Sequence, residues 1–204
     1  SDQARESGGD GGDDQLQGSS ARDYADMGEG NDRAGMGAGN DIVESGTGND
    51  SIWGGTGDDI ELGDYGDDAL YGELGNDSLA GEEGDDWVIG GSGSDILAGG
   101  DGNDIVSGFD AERGATASIT NGDGTDQLYG GNGDDELLLG RGDMATGGAG
   151  DDNFALDARW RDGSGLFTIK DYEAESDTIT LVYAPTIDPN TSEPVLPTIS
   201  VQDS

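Results

Sequence analysis

The chain has 204 residues, 46 acidic against 8 basic, a net charge of −38, 41 glycines and neither cysteine nor histidine. Leu, Ile, Val and Phe number 34 of 204, about 17%, below the roughly 20% under which highly charged chains stay unfolded for want of a core. This composition excludes disulfides, thiolate and zinc chemistry and His-based triads, argues against nucleic acid and anionic lipid as partners, and asks for a positive counterpart such as the hard cation calcium.

The first residues, 1–8, read as a flexible leader or the start of the next segment. They hold neither the basic nor the apolar stretch of a secretory signal, and the missing initiator Met suggests a fragment or processed form. No apolar run approaches the length of a membrane span.

From position 9 a nine-residue unit recurs eleven times without interruption. Its sixth position is always aspartate: Asp14, Asp23, Asp32, Asp41, Asp50, Asp59, Asp68, Asp77, Asp86, Asp95 and Asp104. Its eighth is mostly aliphatic, running Leu16, Ala25, Ala34, Val43, Ile52, Glu61, Leu70, Leu79, Val88, Leu97 and Val106, with Glu61 the clear exception. Register breaks at 108–120 and resumes at Asn121 with Asp126 and Leu128, then at Gly130 with Asp135 and Leu137. A shortened unit with Asp143 follows, and a last one at Gly147 carries Asp152 and Phe154. The insertion is expected to bulge as a loop, and it leaves open on which side Asp126 and the later aspartates fall.

Glycine at the first, second and fourth positions lets the backbone turn sharply with its carbonyls directed inward. The sixth-position Asp adds a carboxylate at the end of that turn, and the triplet after it is a minimal strand whose middle side chain faces the interior.

The units "GTGNDSIW", "GTGDDIEL", "GELGNDSLA" and "GDGNDIVS" resemble the GGxGxDxUx nonapeptide of the repeats-in-toxin (RTX) family, over residues 9–155. The resemblance implies an all-β fold, a right-handed parallel β-roll in which two units make one coil of eighteen residues. Asp50 then lies between Asp32 and Asp68, and Asp41 aligns with Asp59. It further implies calcium between stacked loops, about ten ions in all. The ligands would be the fifteen carboxylates above and the backbone carbonyls of Gly39, Gly48, Gly57, Gly66, Gly75, Gly84, Gly93, Gly102 and Gly133. By the same resemblance the parent protein is secreted through a type I machinery and folds on meeting external calcium.

Residues 156–204 lose the period. Strands are predicted around Leu166–Lys170, over Thr178–Tyr183 and around Leu196–Val201, joined by a turn-rich "APTIDPNTSEP", and together they read as a β cap on the open end of the roll. Acid pairs such as Asp58 and Asp59 could serve general acid and base chemistry, but they fall where turn and ion already account for them, so no enzyme is expected within this stretch. The second reading is an adhesion or glycan-binding module that uses Trp53, Tyr65, Tyr71 and Trp87 as stacking surfaces. Ice binding through Thr47 and Thr56 is disfavoured because only two units carry that Thr, and integrin-like recognition by Arg141-Gly142-Asp143 is disfavoured because a repeat supplies Gly and Asp anyway.

Overall fold

A computed structural model describes residues 6–9, 11–108, 124–140, 142–157, 167–182, 186–187 and 194–195. Among these the regular structure is all β. The strands are β1 (Glu6–Gly8), β2 (Gln15–Gln17), β3 (Tyr24–Asp26), β4 (Arg33–Ala38), β5 (Ile42–Glu44), β6 (Ser51–Thr56) and β7 (Ile60–Tyr65). Next come β8 (Ala69–Leu74), β9 (Ser78–Glu83), β10 (Trp87–Ser92), β11 (Ile96–Asp101), β12 (Ile105–Ser107) and β13 (Gln127–Asn132). The series ends with β14 (Glu136–Leu139), β15 (Met144–Ala149), β16 (Asn153–Asp157), β17 (Thr168–Ile169), β18 (Thr178–Val182), β19 (Thr186–Ile187) and β20 (Pro194–Val195).

Odd-numbered strands β1 to β17 form one nine-stranded sheet and even-numbered strands β2 to β18 another, each in chain order and paired in parallel. Successive units therefore alternate between the two sheets, which is the roll that the resemblance implied. Nine of the twenty described strands run six residues, through the first three positions of the following unit, where the sequence suggested a triplet. Only a three-residue turn is left between them.

Pairing partners stand eighteen residues apart, as in Val43↔Glu61↔Leu79 in one sheet and Ile52↔Leu70↔Val88 in the other. Position-eight side chains thus line up in two facing columns, fully buried from Ala25 to Phe154. Where those residues are small, at Ala25 and Ala34, buried Met27 and Met36 stand two residues further on, at a position glycine fills in most units. The packing volume is restored by the first residue of the following unit.

The insertion does not change sides. β13 pairs with β11 and β14 with β12, so Asp126 continues the row of Asp95 and Asp135 that of Asp104. Most of the insertion, 109–120, lies outside the described residues.

In the segment expected to cap the roll, β17 and β18 each take the ninth place of a sheet, in the same parallel sense. Phe167, Ile169, Tyr172, Ile179 and Leu181 pack against the core there, and Tyr172 meets Phe154 edge-on at 6.5 Å. β19 and β20 form a short antiparallel ladder within the stretch read as turn-rich. The strand expected around Leu196–Val201 lies outside the described residues.

Candidate metal centre

Each turn depends on its fourth-position glycine. Gly57 sits at φ 134°, and a Cβ there would lie 1.4 Å from the carbonyl oxygen of Gly39 one rung away. A side chain at this point meets both a disfavoured conformation and rigid backbone. The nine carbonyl positions expected as ligands, Gly39, Gly48, Gly57, Gly66, Gly75, Gly84, Gly93, Gly102 and Gly133, all have positive φ. Of their carbonyls, only that of Gly93 accepts a backbone amide among the described residues, from Gly124 at 2.8 Å.

The aspartates form two ladders. Asp14, Asp32, Asp50, Asp68, Asp86, Asp104, Asp135 and Asp152 follow one edge, and Asp23, Asp41, Asp59, Asp77, Asp95, Asp126 and Asp143 the other. Along each, the backbone N–H of one Asp donates to Oδ1 of the Asp one rung on, at 2.8 Å from Asp50 to Asp68 and from Asp59 to Asp77. From Asp23 onward these aspartates are buried.

Their second oxygens divide them. Oδ2 of Asp14, Asp32, Asp41, Asp50, Asp59, Asp68, Asp77, Asp86, Asp95, Asp104 and Asp135 is buried and has no protein donor among the described residues. Oδ2 of Asp23 accepts the Ser19 amide at 2.6 Å, and that of Asp143 accepts the Gly140 amide. Position-one glycines make room for the orphaned oxygens: a Cβ on Gly63 would lie 2.5 Å from Asp68 Oδ2 and 2.6 Å from the Gly81 carbonyl.

Burial raises these carboxyls, and neighbouring aspartates add to the effect in most of them. Asp68 is pushed up to about 8, Asp77 and Asp104 to about 7, and Asp59, Asp86, Asp95 and Asp135 to about 6, each held back in part by the amide donated from the rung before. Asp41, Asp50, Asp143 and Asp152 are raised for the same leading reason. Rows of buried carboxylates facing one another are costly unless a cation or a proton relieves them.

Two features escaped the reading of the sequence. The Asp152 amide donates to Asp177 at 3.3 Å, so Asp177 extends its ladder beyond the last nonapeptide, with Oδ2 taken by the Glu173 amide at 2.7 Å. Asp171 nearby accepts the Gly147 and Gly148 amides at 2.9 and 3.0 Å. The signal for Asp177 was present, since "DTIT" keeps the acid-x-apolar order of the repeat. The second feature is an outer ladder at position five running the opposite way, in which the Asn49 amide donates to Asn31 Oδ1 and the Asp67 amide to Asn49 Oδ1. On the other edge Asn76 donates to Asp58, holding that exposed carboxyl below its usual range.

The remaining candidates are also placed. Trp53 and Tyr71 stack on each other at 5.6 Å and 3°, while Trp87 and Tyr65 are exposed. Asp143 of the Arg-Gly-Asp tripeptide is fully buried, and Arg141 lies outside the described residues.

Among the described residues no three carboxylates converge on one point. A cation at these turns would take carboxylate oxygen from the ladder and complete its shell with carbonyls, an all-oxygen set that suits calcium. The orphaned Oδ2 atoms and the space left by position-one glycines fit such an ion. The model of the RTX calcium-binding nonapeptide repeat (4 copies) matches residues 9–34, 37–60, 62–97, 80–108 and 122–143. No curated protein matches the chain.

Proposed function

Because the chain belongs to the RTX calcium-binding nonapeptide repeat family, and is on that ground a calcium-binding module, we propose that calcium is what folds it. The observation that carries this reading is the set of eleven aspartate Oδ2 atoms, buried, without a protein donor and repeated along both edges of the roll. The ligands we assign are the ladder carboxylates from Asp14 to Asp152 and the position-four carbonyls, with Asp23 and Asp143 the weakest members because amides already occupy their second oxygens. About ten ions would cancel roughly half of the net charge of −38.

The magnitude supports coupling of binding to folding. With free calcium at about ten times the dissociation constant each site contributes roughly 1.4 kcal/mol, and about ten sites contribute roughly 14, comparable to the whole stability of an ordinary domain at about 5–15 kcal/mol. Extracellular calcium modules bind at about 0.1–1 mM. On this reading the parent protein stays unfolded in the cell and folds outside, with the roll as its folding module and no catalytic role, and the resemblance to RTX proteins implies type I export as its route.

A calcium titration followed by circular dichroism and small-angle scattering tests this. The expected result is an expanded, disordered chain in chelator that converts cooperatively to β structure at about 0.1–1 mM free calcium, while magnesium, which resists dehydration, fails to convert it. A chain that is equally compact and β-rich in chelator overturns the reading.

A further inference from the structure

Glu61 stands in the interior column between Val43 and Leu79, with 0% exposure. Neither of its carboxylate oxygens has a protein hydrogen-bond donor. In a core that offers Leu, Val or Ala at this position, such a group needs a compensating charge or proton.

Its neighbour points to a cation. A Cβ on Gly54 would lie 2.6 Å from both Asp59 Oδ2 and Glu61 Oε1, so these two oxygens are at most 5.2 Å apart, twice 2.6 Å. A calcium ion with bonds of about 2.3–2.6 Å spans oxygens up to about 5 Å apart. Both oxygens are buried and lack donors, and they belong to one nonapeptide unit. Among the described residues the other interior position-eight side chains carry no carboxylate.

We propose that Glu61 is an additional ligand of the ion held at the turn ending in Asp59, so that one site in the array binds calcium through two carboxylates of the same unit. This rests on the reading that the turns hold calcium and goes beyond it. Two carboxylates neutralise a divalent ion inside an apolar shell, and affinity at such sites rises with the ligand charge count. The Asp59 turn is then the first to fill, and the roll nucleates in its middle rather than at an end.

The test is a competition titration of the full chain against a chelating dye, comparing the wild type with Glu61→Gln, Glu61→Leu and Asp59→Asn. Leucine is the residue neighbouring rungs carry, so Glu61→Leu keeps the core filled. The expected result is a first calcium equivalent bound at least tenfold more weakly in both Glu61 variants. A first equivalent as tight as in the wild type, with Asp59→Asn weakened, overturns this inference alone and leaves Glu61 a buried neutral acid. A wild type that binds no calcium overturns the function proposed above.

Discussion

The stretch from Asp50 to Asp104 and the rungs after the insertion use one ladder in two ways. In the first, the amide-to-carboxylate bonds between rungs are all 2.8 Å, and every second carboxylate oxygen lacks a protein donor. In the second the same bonds stretch through 3.0 and 3.1 to 3.3 Å, and backbone amides take the second oxygens of Asp143 and Asp177. The interior changes in step, from side chains that are aliphatic apart from Glu61 to Phe154 with Tyr172 edge-on to it. The regular half leaves its electrostatics to an outside partner, whereas the irregular half satisfies more of its own.

Chelation separates the two halves most strongly. As calcium is withdrawn, hydrogen exchange should reach the rate of unstructured chain first in β6 to β11 and last in β16 and β18. Uniform exchange along the chain would erase the distinction. Phe154→Ala should remove that lag and cost about 3–5 kcal/mol in urea unfolding at saturating calcium, since a fully buried aromatic leaves a cavity.

A smaller contrast is expected between Asp68→Asn and Asp143→Asn. The first removes a carboxylate whose second oxygen has no protein donor and should raise the calcium midpoint several-fold. The second weakens bonds to the Asp126 and Gly140 amides and should cost about 1–3 kcal/mol at saturating calcium while moving the calcium midpoint less. Circular dichroism at a series of free calcium concentrations distinguishes the two.

The mildest lever is pH. Carboxyls raised to between about 6 and 8 in the folded chain stabilise it fully only below the unfolded value near 4, and that contribution fades as pH rises through 6 to 8. The metal-free regular half should therefore gain β structure on acidification and lose it toward pH 8. Calcium binding near pH 6 to 7 should release protons, which an unbuffered titration measures. Metal-free β content that does not change with pH would show that these carboxyls are solvated.

Much of this was legible without coordinates. The period of nine with an invariant Asp gave the resemblance to RTX repeats, and the eighteen-residue coil which that resemblance implies is why the vertical neighbours of Asp50 could be named before the ladder was seen. Glu61 also stood out, because an acid in a column of aliphatics contradicts the pattern whatever the fold. Asp177 and Asp171 did not, since they act after the period has lapsed and are recognised by the rung they stack on rather than by spacing.

The sequence by itself determined the repeat, the alternation of turn and strand and the facing carboxylate rows, because each nonapeptide carries its own glycines, acid and interior residue. Tertiary stacking alone decided which side Asp126 takes and how far the rungs continue. Those outcomes depend on what the next coil places beside each atom, and that neighbour lies some eighteen to thirty-one residues away.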